Sequence, residues 1–157
     1  MLTRESLEKI DREIAKYPAG RKQSAVMAAL AIAQKEKTYL SNETMEFVAG
    51  LLGMPPIAVR EIATFYAMYR TESSGRHCLM LCTNLPCRLS GALKAADFLK
   101  ERLGIGFGET TPDGRITLKE GECLGACGDA PVALLDEDRM CARLSPETID
   151  KLLREIE

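Results

Sequence analysis

The sequence is poor in histidine: its 157 residues include only His77. Histidine-rich zinc sites, haem held between two histidines and the iron triad of two histidines and a carboxylate each need at least two imidazole ligands. A single histidine therefore excludes all three kinds of metal site.

Long apolar runs and a large net charge are also absent. The longest apolar run, from Ala25 to Ala33, has nine residues, whereas a helix that spans a bilayer needs roughly 20. The first residues, Met1 to Glu5, show no secretory pattern. The net charge of −2 offers no basic surface for nucleic acid or anionic lipid. We therefore expect a cytoplasmic protein that binds no nucleic acid, does not insert into a membrane and associates with one only through partners.

The sequence does contain six cysteines, in a globular composition of 46% hydrophobic and 28% charged residues. In a secreted protein they would suggest disulfides, but no export signal is visible and the chain is long enough to bury a core. Clustered cysteines in a cytosolic protein more often bind metal or take part in redox chemistry.

A small polar stretch at residues 71–75 divides the chain into two expected domains, and all six cysteines follow it. Residues 1–72 are predicted to form a small bundle of four helices, because apolar residues recur there at helical spacing. Ser41 is a predicted cap of the third helix, and Pro55-Pro56 opens the fourth.

Aromatic residues are concentrated near the end of the fourth predicted helix. Two interpretations of Phe65, Tyr66 and Tyr69 are open. They pack in the core of the bundle, or they form a docking surface for a partner protein.

Residues 76–157 show a β-α-β pattern, then a β-hairpin, then a helix. The first strand is an almost continuous apolar run, as in strands that are buried on both faces. The order predicts an α+β protein in which the small helical bundle precedes a thioredoxin-like α/β domain with a mixed sheet. The predicted elements are the strand 77–81, a helix that contains Leu89, Leu93 and Leu99, the strand 115–118, the hairpin 132–135 and 139–142, and a helix from Pro146.

Four cysteines form two spaced pairs: Cys82 and Cys87 are separated by four residues, Cys123 and Cys127 by three, and 35 residues lie between the pairs. Each pair is predicted to lie on a loop, and loops at one edge of a sheet can meet. Four thiolates suit a two-iron, two-sulfide cluster, in which each iron takes two cysteines. Loop amides, and the positive end of a helix expected to begin just after Cys87, would stabilise its negative charge.

Other uses of the same four thiols remain open from spacing alone. Structural zinc also takes four thiolates, usually in pairs spaced by two to four residues. Two disulfides are a further alternative, disfavoured in the cytosol. A thioredoxin-type active site needs two cysteines separated by two residues, and no pair has that spacing. Cys78 and Cys141 lie in predicted strands, where we expect buried, inert thiols.

Three stretches of the sequence resemble one family. They are Cys82-Thr-Asn-Leu-Pro-Cys87-Arg-Leu-Ser-Gly91, then Leu103-Gly-Ile-Gly-Phe-Gly108 through Gly114, and Glu122-Cys-Leu-Gly-Ala-Cys127-Gly-Asp-Ala-Pro131. The family is the thioredoxin-like 2Fe-2S ferredoxin subunit of respiratory complex I, the NADH:quinone oxidoreductase. Tyr17-Pro18, Leu40-Ser41 and Val59 to Tyr66 resemble its amino-terminal domain, so the resemblance covers nearly the whole chain. We expect no extension after the last predicted helix, so the sequence resembles a minimal version of the family.

The resemblance implies an electron-transfer subunit of the NADH-oxidising arm of that oxidoreductase, and an enzyme only as part of the complex. By resemblance, the cluster ligands are Cys82, Cys87, Cys123 and Cys127. The flavin mononucleotide and NADH would lie on a partner subunit close to this cluster, and the complex would sit peripherally on the inner membrane. No residue of this chain is expected to act as a nucleophile or general base.

Related assemblies leave other functions open. The same module occurs in NAD-linked formate dehydrogenases and bidirectional hydrogenases, and a free-standing 2Fe-2S ferredoxin would share the cluster site. A zinc-stapled interaction domain without a redox role is a third class of hypothesis.

Overall fold

The computed structural model describes residues 1–156, which divide into two units, Met1–Ser73 and a second that starts at Ser74. Among these residues, no helix is both long and apolar enough to cross a membrane.

The first unit consists of four helices, as the sequence predicts. Thr3 caps the first helix, α1 (Arg4–Ile14), and Ser41 caps the third, α3 (Asn42–Leu52). In both cases the hydroxyl accepts a hydrogen bond from the backbone N–H three residues further on. Gly53 ends α3 at φ 63°, a left-handed conformation in which glycine is not strained. The helices are α1 (Arg4–Ile14), α2 (Val26–Lys37), α3 (Asn42–Leu52) and α4 (Pro56–Phe65), with a 3₁₀ turn at Lys22–Ala25 before α2.

Leucine, valine and alanine side chains fill the core of the first unit. Leu30, Leu52 and Val59 are completely buried there, on α2, α3 and α4. Each buried leucine or valine contributes about 1.5–3 kcal/mol through removal of apolar surface from water.

The aromatic residues after the middle of α4 do not behave alike. Tyr69 is 6% exposed, and its hydroxyl donates to the carbonyl oxygen of Met27 at 2.8 Å. Phe65 is 78% exposed and Tyr66 40%, and their rings contact each other edge to face. The core interpretation is therefore confirmed for Tyr69. It is wrong for Phe65, which is the last residue of α4 and does not pack against the core.

Glu36 joins α2 to the start of α1. Its carboxylate accepts hydrogen bonds from the Thr3 backbone N–H at 2.9 Å and the Thr3 hydroxyl at 2.8 Å. A hydrogen bond from Ser6, followed by those from Thr3, lowers the pKa of Glu36 from 4.5 to about 2. The ionised carboxylate therefore favours the folded state.

We expect the helical unit to lose the stabilisation from Glu36 as the pH falls. Because the folded pKa is below the unfolded one, this stabilisation is complete above about pH 4.5 and disappears as the pH falls towards about 2. Glu36→Gln should unfold at lower denaturant concentration than the wild type at pH 7, and the difference should shrink at pH 3. A difference that grows with acidity would contradict this assignment.

The second unit contains four strands, β1 (His77–Cys82), β2 (Ile116–Gly121), β3 (Ala133–Leu135) and β4 (Arg139–Cys141). They form a mixed sheet in the order β2-β1-β3-β4. β1 pairs in parallel with β2 and antiparallel with β3, and β3 pairs antiparallel with β4. The helical unit followed by this sheet confirms the predicted fold class. The helices of this unit are α5 (Leu85–Leu89), α6 (Ala92–Leu103) and α7 (Pro146–Glu155).

β1 lies at the centre of the second core. Leu79, Leu81 and Leu118 are fully buried against apolar residues of α6 and α7, as expected for a central strand. The core also includes Leu99 and Ile149.

One predicted helix of this unit is two helices. Gly91 has φ 100° and separates α5 from α6, because this backbone conformation cannot continue a right-handed helix. Leu89 lies in α5 and is 81% exposed, and Leu93 lies in α6 and is 48% exposed, although their spacing with Leu99 predicted one continuous helix. Leu99 is buried.

Candidate metal centre

The first candidate ligand, Cys82, is the last residue of β1 and is only 2% exposed. Its backbone N–H donates to the carbonyl oxygen of Val132 at 3.0 Å. Its thiol donates to the carbonyl oxygen of Glu122 at 3.5 Å, which ties it to the segment that carries Cys123. The sequence predicts a strand over 77–81 with this cysteine on the loop after it, which is wrong by one residue, since β1 includes Cys82.

The second candidate ligand, Cys87, lies inside the short helix α5 and is 1% exposed. Pro86 lies in the first turn of this helix, where its missing N–H removes no helical hydrogen bond. The helix thus contains Cys87, whereas the sequence predicts a loop there and a helix that begins after it. The positive helix end expected just after Cys87 is that of α6, which begins later, at Ala92, and packs there with Cys82 and Cys87.

The environment of Cys87 is set mainly by burial. Burial raises the pKa of its thiol, and the hydrogen bond with the Cys82 side chain raises it further. The backbone N–H of Val132 donates to the Cys87 sulfur and lowers the pKa. Charge on Cys82 and on Cys127 would each raise it. Val132 thus contacts both cysteines of the first pair, through its N–H and its carbonyl.

The second pair is more exposed. Cys123 lies in the irregular segment after β2, and Cys127 begins a 3₁₀ turn at Cys127–Asp129. Gly125, between them, has φ 73°, so a residue with a side chain would be strained at this position. The chain can reverse there and return Cys127 towards Cys87.

The structure brings three of the four predicted ligands into one neighbourhood. Cys82, Cys87 and Cys127 interact electrostatically at the end of β1, and Cys123 directly follows Glu122, whose carbonyl oxygen accepts from the Cys82 thiol at 3.5 Å. Within residues 1–156, no three Cys, His, Asp or Glu side chains adopt a metal-binding arrangement as they stand. The donor set nevertheless fits an iron-sulfur cluster chemically, because four thiols lie on two adjoining segments and a backbone N–H already donates to one sulfur.

The other two cysteines differ from each other. Cys78 lies in β1 and is 2% exposed, which confirms its predicted burial. Cys141, on the edge strand β4, is half-buried, so the prediction of a fully buried thiol is wrong there. Burial raises the pKa of Cys141, which keeps it in the unreactive thiol form.

Two residues that contact the candidate ligands or the segment carrying them were missed from the sequence. One is the backbone of Val132, which has no side-chain signal. The other is Arg143, whose guanidinium donates to the carboxylate of Asp129 at 2.9 Å, two residues after Cys127. Because Arg143 lies beyond the hairpin, no local spacing connects it with the cysteines.

Comparison with known proteins identifies the family. The family model described as thioredoxin-like [2Fe-2S] ferredoxin matches residues 10–157. An NADH-quinone oxidoreductase subunit of Rhizobium meliloti is 47% identical over 83% of this chain and 77% of its own length. The mitochondrial NADH dehydrogenase [ubiquinone] flavoprotein 2 of Dictyostelium discoideum is 38% identical over 96% of this chain, which spans 61% of that protein.

A solved structure extends the fold comparison. NAD+-reducing [NiFe]-hydrogenase, in its H2-reduced state, aligns with 81% of this chain at a TM-score of 0.68 and 24% identity. This chain spans only 22% of that hydrogenase chain, and at this identity the match shows a shared fold alone. Together with the sequence relatives, the match to the family model confirms the resemblance seen in the cysteine motifs. The chain belongs to the thioredoxin-like [2Fe-2S] ferredoxin family.

Proposed function

We propose that this chain is the electron-transfer subunit of the NADH-oxidising arm of an NADH:quinone oxidoreductase. In this proposal it binds one 2Fe-2S cluster through four thiolates, Cys82, Cys87, Cys123 and Cys127. The observation that carries the proposal is the contact of the Cys82 thiol with the carbonyl oxygen of Glu122 at 3.5 Å, which joins the two cysteine pairs across the 35 residues between them. The names of the relatives support the kind of complex.

The local structure supports four-thiolate ligation. β1 and α5 place the first pair at the buried end of the sheet, and the segment after β2 carries the second pair. Zinc would suit the same donors, but membership of the 2Fe-2S family favours iron and sulfide. Cys123 directly follows Glu122, whose carbonyl oxygen accepts a hydrogen bond from the Cys82 thiol, so the fourth donor lies on a segment that contacts the first pair.

The chain's own residues position and stabilise the redox group. A 2Fe-2S cluster, when bound, supplies one-electron redox chemistry. The Val132 N–H donates to the Cys87 sulfur, which stabilises negative charge on that ligand. Burial of Cys82 and Cys87 keeps water from half of the donor set. No side chain of this chain is assigned a proton-transfer or nucleophilic role.

A flavin- and NADH-binding subunit is the proposed partner, in a heterodimer within a larger assembly. Three leucines beside Cys87 are exposed: Leu85, Leu89 and Leu93. Exposed apolar residues next to a candidate redox site are typical of a surface that another subunit covers. Through that assembly the chain would sit on the cytoplasmic side, peripherally attached to the inner membrane.

We assign the two parts of the chain different tasks in this proposal. Residues 76–157 form the cluster-binding domain, and residues 1–72 form a helical domain whose exposed Phe65 and Ile57 suit contact with a partner. A formate dehydrogenase or hydrogenase assembly is less well supported, because the hydrogenase likeness concerns the fold alone.

Metal and sulfide analysis tests the cluster. We expect anaerobically matured full-length protein to be brown and to contain about two irons and about two acid-labile sulfides per chain. A colourless protein with about one zinc and no sulfide would instead identify a zinc-stapled domain and overturn the proposal.

The partner is tested with the same preparation. NADH should fail to reduce the isolated chain, whereas dithionite should reduce it. NADH should reduce it rapidly once the co-purified flavoprotein subunit is present. Reduction by NADH of the isolated chain would place the NADH site on this chain and contradict the assignment to a partner.

A further inference from the structure

The segment that carries Cys127 is tied to the start of α7 through Arg143 and its neighbour Leu144. The backbone N–H of Arg143 donates to the carbonyl oxygen of Asp129 at 2.8 Å, and its guanidinium donates to the Asp129 carboxylate at 2.9 Å. The next N–H, of Leu144, donates to the carbonyl oxygen of Pro131 at 3.0 Å. Asp129 in turn donates its N–H to Ala126 at 3.0 Å, so the held turn encloses Cys127.

The other side of Arg143 is attached to a rigid element. The next residue, Leu144, is buried in the second core, and Ser145 then starts α7 through a capping box with Thr148. Ile149, the next residue of α7, is completely buried in the core. A continuous set of contacts therefore runs from the core through Arg143 to the turn of Cys127.

The backbone of Arg143 has an unusual conformation. Its φ is 52°, in the left-handed region that residues with a Cβ seldom adopt. Arginine has a Cβ and is strained in this conformation, so the neighbouring contacts must hold it there. Glycine would adopt the same conformation without strain. A glycine at this position would keep both backbone hydrogen bonds but could not reach the Asp129 carboxylate.

We propose that Arg143 is a positioning residue for the redox centre, which it serves by holding the Cys127 turn through Asp129. This inference rests on the proposed function and adds to it a residue outside the four ligands. Arg143 does not contact the reacting atoms. Its contact with Asp129 limits the motion of the turn, and so sets the position of the Cys127 sulfur relative to Cys87.

The test compares Arg143→Gly with a matched variant in the full-length protein. Arg139→Ala is the control, because it removes a similar exposed ion pair, Arg139 with Glu155 at 2.6 Å, at β4 and α7. Arg143→Lys keeps a cation that can reach Asp129. The measurements are amide hydrogen exchange over residues 126–131, the electron paramagnetic resonance spectrum of the dithionite-reduced protein, and the rate of iron release to a chelator.

We expect Arg143→Gly to raise the rate of amide exchange over residues 126–131 and the rate of iron release, each by up to about fivefold. This factor corresponds to the largest free energy that an exposed ion pair usually contributes. Its resonance spectrum should shift or broaden, and its unfolding temperature should not fall, because glycine suits the positive φ. Arg143→Lys should restore the wild-type spectrum. Arg139→Ala should match the wild type throughout.

The proposal is overturned if Arg143→Gly and Arg139→Ala give the same exchange and the same spectrum. It is also overturned if Arg143→Gly lowers the unfolding temperature and speeds exchange equally throughout residues 74–156, since that would be a general loss of stability. Wild-type protein without iron or sulfide would defeat the proposed function instead, and the exchange comparison would still decide whether Arg143 holds the turn.

Discussion

Serine at any one of the four candidate ligand positions is expected to abolish or strongly perturb the paramagnetic resonance signal of the reduced protein. The positions are Cys82, Cys87, Cys123 and Cys127. A serine hydroxyl has nearly the shape of the thiol but is a far weaker and harder ligand, whereas iron-sulfur clusters are bound by thiolates. Spectra of the four variants, each matured like the wild type and reduced with dithionite, provide the measurement.

Two further cysteines serve as controls for this prediction. Cys78→Ser and Cys141→Ser should leave the resonance signal recognisable, because Cys78 is buried within β1 and Cys141 lies on β4. Cys123→Ser and Cys127→Ser are the most informative variants, because both thiols are exposed and contribute little to packing. If Cys78 or Cys141 proved essential while one of the four did not, the ligand assignment would be wrong.

Leu81→Ala is expected to produce the largest loss of stability, by about 2–5 kcal/mol. Leu81 is completely buried in the second core and directly precedes Cys82. Its truncation removes apolar contacts and leaves a cavity at the strand that carries the first ligand. Since whole domains are stable by only about 5–15 kcal/mol, much of the protein should fail to retain its iron. Denaturant unfolding of the full chain, with iron content after purification, measures both effects.

The same leucine-to-alanine substitution at an exposed position tests whether the loss of stability comes from burial. Leu89→Ala should change the free energy of unfolding by no more than about 0.5 kcal/mol, because Leu89 is 81% exposed. Equal losses in the two variants would mean that the β1 core does not stabilise the fold as described.

Periodicity and capping signals were sufficient to predict most of the helical unit. Ser41 and Gly53 mark the two ends of α3 because their side chain, or lack of one, satisfies a local requirement of the backbone. Phe65 was harder to place, because the sequence does not reveal where α4 stops facing the core. Hydrophobic character alone favours burial, while the position at the end of the helix leaves this ring exposed.

The second unit shows a similar division. The apolar run of β1 is a local pattern, and the structure confirms it. The break between α5 and α6 was not predicted, because Leu89 and Leu93 continue a helical spacing even though Gly91 has a positive φ. Spacing measures only the direction a side chain would take along an unbroken helix.

The sequence by itself determined which donors are available: six cysteines, one histidine and two spaced pairs favour thiolate ligation, and the motifs identify the family. Tertiary structure alone decided which groups surround those thiols. Sheet pairing brings Val132 to both Cys82 and Cys87, and the end of the hairpin brings Arg143 to Asp129. Residue types and local spacing are properties of the chain, whereas contacts between distant segments exist only after the strands pair and the helices pack.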